Sequence, residues 1–213
     1  KNYNIGEKVK TLFCDSMIGD DGDLTETRDY NTYVRQMDDI ALLKYNETSP
    51  YVKPGRIGDI GCAVGSWIKL ACNENKFHES DFYGIEVARV LYDLCIQRKN
   101  NREFSNPNVF FSQKNAVTGL VFQSNSMDTI HTSSLTHEIE SYGGRDDLLK
   151  FIKFRFMELR ISGVWINRDV VGPENKEEFI YMKLKKEDGR NSDYDKIFAD
   201  KINFKEYLDG LST

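Results

Sequence analysis

Paired cysteines, long apolar runs and secretion signals are all absent from this sequence, and each absence excludes a class of protein. The 213 residues include four cysteines (Cys14, Cys62, Cys72 and Cys95), none of them in a C-x-x-C pair. This spacing favours neither a disulfide framework nor a zinc site. No stretch approaches about 18 consecutive apolar residues, so no transmembrane helix is predicted. The N-terminus is polar and charged, unlike a signal peptide. We therefore expect a cytoplasmic protein with no membrane partner.

Large basic clusters are absent too, and the most basic short run is 183–186 (Lys-Leu-Lys-Lys). With a formal net charge of −5, the surface is poorly suited to extensive nucleic-acid binding, which depends on many phosphate contacts. A local patch would still suffice for an RNA substrate. The chain begins without methionine and ends just after a helical pattern at 204–208. We therefore expect a truncated chain, with further domains beyond residue 213 in a longer polypeptide.

The most informative stretch is 56–66, Arg-Ile-Gly-Asp-Ile-Gly-Cys-Ala-Val-Gly-Ser. A short apolar strand runs into a turn containing Gly61 and Gly65, and an amphipathic helix begins near Ser66. Glycines let the backbone approach a ligand closely, and the first amides of a helix point toward it. The next strand ends in Glu86, where an acid is placed to accept hydrogen bonds from ribose hydroxyls. The sequence therefore predicts a nucleotide-type binding site.

The glycine spacing distinguishes between cofactors. A P-loop requires Gly-Lys-Ser/Thr after its glycines, but 65–67 is Gly-Ser-Trp. A dinucleotide fingerprint requires G-x-G-x-x-G, whereas Gly58, Gly61 and Gly65 are three and four residues apart. The pattern Asp-x-Gly-x-x-x-Gly over 59–65, followed by a strand and Glu86, resembles the class I S-adenosylmethionine-dependent methyltransferases.

This resemblance implies S-adenosylmethionine as the cofactor. From the methionine end through the ribose to the adenine, the implied cofactor-binding residues are Asp59, Gly61, Cys62, Gly65, Ser133, Glu86, Val87, Asn115 and Ala116. Asn115 lies where the family usually has an acid or amide that reads the adenine amino group. Because asparagine also favours caps and turns, a purely structural role stays open. Ala63 stands where the family most often has glycine, and alanine resists a positive φ.

Apolar periodicity predicts an amphipathic helix around 30–41, followed by alternating strands and helices. The expected elements are strand 57–61, helix 66–75, strand 81–86, helix 88–103, strands 108–113 and 127–133, a helix near 145–160, strand 163–171 and a further strand at 178–184. This order implies an α/β fold with a doubly wound, mostly parallel sheet and helices on both faces.

We divide the chain into three parts. Residues 1–54 form an N-terminal helical cap segment, 55–184 the methyltransferase core, and 185–213 a polar loop and C-terminal segment. In the family, a helix like the one predicted around 30–41 usually packs beside the cofactor site as a cap. Simple coverage of a sheet edge is the alternative.

The loop at 133–144 carries the candidate catalytic residues, because in the family this loop borders both the cofactor and the acceptor. His137 is a candidate general base, since its unperturbed pKa lies near neutrality. Glu138 or Glu140 would orient it or bind a cationic acceptor. The alternative is that His137 and Glu138 form the first turn of a helix, where acids are favoured. Asp169 either faces the site or pairs with Arg168.

No metal site is expected. Some RNA-end methyltransferases of this superfamily bind a divalent ion through Glu-x-x-Glu-His and a later histidine, but no histidine follows His137 here. His131 has an inner position on its predicted strand, which is typical of a core histidine, and His78 lies in a polar connection.

The expected function is methyl transfer from S-adenosylmethionine, with a small-molecule acceptor favoured over the alternative of RNA. A non-catalytic cofactor-binding domain of a larger protein is a rival interpretation. A nicotinamide-dependent oxidoreductase is another, but its glycine fingerprint is missing. A Tyr-x-x-x-Lys spacing at Tyr181 and Lys185 falls on a predicted strand and loop rather than a helix.

Overall fold

The computed structural model describes residues 30–170, with side chains from residue 33 onward. The predicted strand at 178–184, the polar segment 185–213 and Cys14 lie outside the described residues. Helices are α1 (Tyr30–Thr48), α2 (Ser66–Ala71), α3 (Arg89–Asn100), α4 (Thr136–Gly143) and α5 (Arg145–Glu158). Strands are β1 (Arg56–Ile60), β2 (Asp81–Glu86), β3 (Val109–Gln113), β4 (Met127–Ser133) and β5 (Leu159–Arg168).

The five strands form one sheet in the order β3-β2-β1-β4-β5, and every pair is parallel. Because β1 lies between β2 and β4, the strand order reverses at the carboxyl end of β1. Open α/β sheets bind ligands at this switch point. The predicted doubly wound parallel sheet is confirmed for the described part of the chain.

Helices cover both faces of the sheet. On one face Trp67, Phe77 and Cys95 pack with Ile57 and Phe82 in one buried cluster. On the other face Phe151 of α5 packs with residues that include Ile60, Ile85 and Ile130. β4 is buried along nearly its whole length, as expected for a central parallel strand that is covered on both faces.

Several sequence-based boundaries differ from the structure, and α1, for example, extends to Thr48 rather than 41. α2 ends at Ala71 rather than 75, and a 3₁₀ helix at Asn75–Phe77 follows and buries Phe77. β5 begins at Leu159 rather than 163, directly after α5, with a register shift against β4 between Met127 and Thr129. Residues 136–143, predicted as part of a loop, form α4. Within residues 30–170, no helix is both long and apolar enough to cross a membrane.

Candidate active site

A cavity of about 1310 Å³ opens at the carboxyl ends of β1, β2 and β4. Pockets for small molecules usually measure about 300–1,000 Å³, so this one has room for more than a single compact ligand. Its walls come from the turn after β1, the ends of β2 and β4, and one face each of α1 and α4. Of the predicted cofactor-binding residues, the lining includes Asp59, Gly61, Cys62, Glu86, Val87, Asn115, Ala116 and Ser133; Gly65 shapes the turn behind it.

The turn after β1 is a tight backbone loop fixed against β2. The N–H groups of Gly61 and Cys62 both donate to the carbonyl of Ile85, at 2.8 and 3.1 Å. Gly61 and Gly65 have φ values of 72° and 74°, which explains glycine at both positions. Ala63 also lies in the left-handed region, at φ 50°. The sequence indicated that alanine would resist this conformation, and the strain is on the order of 1–2 kcal/mol.

Glu86 ends β2 and joins that loop to the next turn. Its Oε2 accepts from the N–H of Ala63 at 2.9 Å, and its Oε1 accepts from the N–H groups of Val87 and Ala88 at 2.8 and 3.0 Å. The side chain is buried yet borders the cavity. Burial raises the pKa of Glu86 to about 7, although these three N–H donors act to lower it and Glu138 adds to the rise.

Asn115 follows β3 and borders the cavity. Its Oδ1 accepts from the N–H of Val117 at 2.9 Å, so the turn-capping interpretation is correct in geometry. The side chain is exposed. The hydrogen bond to its Oδ1 also fixes the orientation of the amide nitrogen. An adenine contact therefore stays a prediction for Asn115 and Ala116.

The loop after Asn115 is anchored from below by a buried ion pair. Arg155 and Glu158 are both fully buried and joined by an Nε–Oε2 bond of 2.8 Å. Arg155 also donates to the carbonyl of Ala116 at 3.2 Å. Glu158 Oε1 accepts from the N–H groups of Val121 and Phe122 at 2.5 and 2.9 Å. The buried ion pair therefore holds the loop at 116–122, which borders the cavity, through its backbone.

A buried Asp–His pair lies at the ends of β1 and β4. Asp59 and His131 are register partners on neighbouring strands, and Asp59 Oδ1 lies 2.7 Å from His131 Nδ1. The sequence interpretation of His131 as an inner core residue was correct in burial but overlooked this pairing and its position on the cavity wall. The two-residue periodicity that places His131 on the same strand face as Ser133 was the available signal.

The two candidate catalytic residues lie differently on α4. Leu135, Glu138, Ile139 and Tyr142 line the cavity, at the three- and four-residue spacing of one helix face. His137 is outside that lining; its Nδ1 lies 2.5 Å from Asp169 Oδ1. Glu138 or Glu140 was the expected group that orients His137. In the structure, Asp169 orients His137 instead.

Asp169 also caps the N-terminus of α4. Its Oδ2 accepts from the N–H groups of Leu135 and His137 and from the hydroxyl of Thr136, at 3.1, 3.2 and 2.6 Å. Burial raises the pKa of Asp169, but the hydroxyl of Thr136, the N–H groups of Val170 and His137 and the His137 ring outweigh that effect and lower it to about 2. The alternative Arg168–Asp169 pair does not form, since Arg168 pairs with Glu47 of α1.

One face of α1 lines the cavity opposite α4, through Tyr33, Met37, Ile40, Ala41 and Lys44. Asp38 fixes the helix in place by accepting from Ser66 Oγ at 2.5 Å and from Arg98 Nη2 at 2.7 Å. This arrangement favours the cap interpretation over coverage of a sheet edge. No group of three or more histidine, cysteine or acidic side chains within residues 30–170 is arranged to hold a metal ion.

Comparisons with known proteins give the fold a family context. No protein-family model matches the sequence, and no curated protein matches it. Among solved structures, an S-adenosylmethionine-dependent methyltransferase from Aquifex aeolicus matches with a TM-score of 0.54 at 14% identity, over 69% of this chain and 76% of that one. The geranyl diphosphate C-methyltransferase from Streptomyces coelicolor matches with a TM-score of 0.51 at 12% identity, over 75% and 59%.

A third match, the YcgJ protein of Bacillus subtilis, has a TM-score of 0.50 at 19% identity, over 64% of this chain and 53% of that one. This chain also spans only 49% and 60% of two further solved structures, so it matches a part of several longer proteins. At these identities the likeness concerns the fold. The described residues have the fold of the class I S-adenosylmethionine-dependent methyltransferases.

Proposed function

We propose that this chain is an S-adenosylmethionine-dependent methyltransferase that acts on a small-molecule acceptor. The observation that carries the proposal is Glu86. It is a buried acid at the tip of β2, hydrogen-bonded to the turn after β1 and bordering a cavity at the switch point of the sheet. A carboxylate in this position accepts hydrogen bonds from ribose hydroxyls.

The lining fits the cofactor from end to end. The turn after β1 offers close backbone approach, Glu86 and Val87 would hold the ribose, and Asn115 with Ala116 would contact the adenine. Toward the methionine end, Ser133 Oγ is buried without a hydrogen-bond partner in the described part of the chain, as expected for a group that a ligand satisfies. When bound there, S-adenosylmethionine supplies an electrophilic methyl group.

The remaining cavity wall supports a modest acceptor. Met37 and Ile40 of α1 face Ile139 and Tyr142 of α4 across the opening, and such side chains exclude water from the reacting groups. Methyl transfer depends mainly on holding donor and acceptor in line, so a shaped, partly apolar pocket meets its main requirement. Glu138 is the acidic group of α4 on this wall.

We assign acceptor contact to Glu138 and retain His137 as a candidate base. His137 Nδ1 lies 2.5 Å from Asp169 Oδ1, which orients the ring, and we assign Nε2 as the nitrogen that would accept the proton. His137→Asn should lower kcat without changing the affinity for S-adenosylhomocysteine, if the ring removes a proton from the acceptor. An unchanged kcat would remove His137 from the mechanism.

Calorimetric titration with S-adenosylhomocysteine, with NAD and ATP as controls, tests the cofactor assignment. We expect selective binding of S-adenosylhomocysteine that Glu86→Ala weakens at least about tenfold, the loss expected for hydrogen bonds to a charged group. Glu79→Ala, at an exposed position, is the matched control and should bind as the wild type does. Failure of the folded wild type to bind S-adenosylhomocysteine would refute the proposal.

Turnover separates an enzyme from a binding module. Transfer of a labelled methyl group from S-adenosylmethionine should be assayed with a panel of small molecules and, separately, with RNA. Methylated small molecules support the proposal, and methylated RNA alone would overturn its acceptor class. Cofactor binding without transfer to any acceptor would favour the non-catalytic domain.

A further inference from the structure

His131 is a fully enclosed histidine on the wall of the cavity. Its side chain is 1% exposed and stacks on the indole of Trp67, with 4.3 Å between ring centroids and an interplanar angle of 16°. Nδ1 lies 2.7 Å from Asp59 Oδ1, and Asp59 is itself buried. Packing and this bond together fix the orientation of the ring, so the position of Nε2 is fixed as well.

Nε2 of His131 has no hydrogen-bond partner within the described residues, although it is buried. An unpaired buried polar atom is unfavourable, and native structures seldom retain one without a partner. Two residues further along the same face of β4, Ser133 Oγ is also buried and unpaired. Both residues border the cavity, so one strand face places two residues with unsatisfied buried polar atoms on the wall of the same ligand space.

The charges around these atoms have both signs. Asp59 lies against His131 and borders the cavity, and Lys44 of α1 borders it as well. Lys44 interacts electrostatically with Asp59, Asp169 and Glu138, and it is opposed by Arg168. An anionic pole beside His131 and a cationic pole on α1 match a ligand that carries an ammonium and a carboxylate together.

We propose that His131 binds the α-amino acid end of the cofactor, with Asp59 as its positioning residue. In this arrangement Asp59 accepts the Nδ1 hydrogen, and Nε2 accepts a hydrogen bond from the α-ammonium group. Ser133 Oγ adds a second polar contact, and Lys44 attracts the α-carboxylate. This inference rests on the proposed function, and it adds a residue that the sequence interpretation had placed in the core.

Two ligands separate the amino acid end from the rest of the cofactor. S-adenosylhomocysteine carries the amino acid, whereas 5′-methylthioadenosine keeps the adenosine and the thioether but lacks it. The wild type should bind S-adenosylhomocysteine more tightly than 5′-methylthioadenosine in calorimetric titration. His131→Asn keeps a donor near the Nδ1 position for Asp59 but removes Nε2. This variant should bind S-adenosylhomocysteine about tenfold to a hundredfold more weakly, and its affinity for 5′-methylthioadenosine should be unchanged.

Three further variants make the result specific. His131→Gln, whose amide reaches toward the Nε2 position, should recover part of the lost affinity. His78→Asn, at an exposed histidine, should behave as the wild type. Lys44→Met should selectively weaken the binding of S-adenosylhomocysteine. Circular dichroism would reveal whether the His131 variants fold, and Lys44→Met tests the site even if they do not.

The outcomes distinguish the inference from the function beneath it. If the wild type binds neither ligand, the proposed function fails and the inference fails with it. If it binds both ligands equally, or if His131→Asn weakens both equally or neither, the cofactor site stands and the inference is overturned. Selective loss of S-adenosylhomocysteine in both His131→Asn and Lys44→Met supports it.

Discussion

The raised pKa of Glu86 predicts that cofactor affinity depends on pH near neutrality. In the proposed function, ribose hydroxyls donate hydrogen bonds to the carboxylate, so the ionised form of Glu86 is the binding form. Burial raises its pKa from 4.5 to about 7. The free protein therefore binds the cofactor weakly at a pH below this pKa and tightly above it. A site that binds its ligand through a protonated, cationic group would show the opposite dependence.

The size of the effect follows from the fraction ionised. With a pKa of about 7, Glu86 is roughly 9% ionised at pH 6 and roughly 91% at pH 8. If only the ionised form binds, affinity for S-adenosylhomocysteine rises about tenfold across this interval. Asp169, with a pKa of about 2, stays ionised throughout and contributes nothing to the change.

Calorimetry at pH 6, 7 and 8 measures this dependence, and Glu86→Gln is the control. The glutamine variant cannot ionise, so its weaker affinity should lack the tenfold rise. Any slope that persists in the variant belongs to groups other than Glu86. A flat profile for the wild type, or the same slope in both proteins, would refute the reasoning.

The same ionisation affects folding in the absence of ligand. An unfolded glutamate ionises near 4.5, but folded Glu86 holds its proton up to about 7. The free energy of unfolding therefore falls as pH rises from about 4.5 to about 7, and it stays lower above that. At pH 8, Glu86→Gln should consequently unfold at a temperature at or above that of the wild type, provided the amide keeps the backbone contacts.

Three further changes have defined outcomes. Ala63→Gly should relieve the left-handed strain and stabilise the protein by up to about 1 kcal/mol, whereas Ala41→Gly, in the interior of α1, should destabilise it; urea unfolding compares the two, and equal losses would show that Ala63 is unstrained. Glu158→Gln leaves Arg155 buried without its ion pair and should cost about 3–5 kcal/mol, measured in the same way; a change within experimental error would contradict the buried pair. Asp169→Asn should lower the melting temperature at pH 7, and its deficit should shrink as pH falls from about 4 toward 2, because the wild type then loses the stability of its carboxylate; a constant deficit would separate Asp169 from that titration.

Local signals in the sequence predicted the fold and several residues that line the cavity at the ends of β1 and β2. The glycine turn, the apolar strands and the acid after β2 each determine structure within a few residues of themselves. The predicted bounds of β2 and β4 match the structure, and Glu86 lies where the pattern places it. The parallel order followed because strands alternate with helices, which imposes crossover connections.

The arrangement of α4 and of the Asp59–His131 pair depends on contacts between residues that are far apart in the sequence, and sequence patterns indicate such contacts poorly. Asp169 caps the N-terminus of α4 and orients His137, which lies 32 residues away in the sequence. No local capping motif therefore predicted this helix. His131 meets Asp59 across 72 residues, and only the register of β1 against β4 makes them neighbours. Single-sequence patterns do not carry that register, which explains why the Asp–His pair was overlooked.

Glu86 also has a structural role, and this affects how its variants are interpreted. Its carboxylate accepts three backbone N–H groups, one of them from Ala63 in its strained conformation. Glu86→Ala removes the ribose contact and also leaves these donors unpaired, so the loop itself can rearrange. Glu86→Gln retains one carbonyl oxygen and the side-chain volume, and therefore disturbs the loop less. If the ribose contact dominates, both variants should lose similar affinity. If the loop conformation dominates, the alanine variant should lose much more, and Ala63→Gly combined with it should make that loss no smaller, since glycine relaxes the loop further.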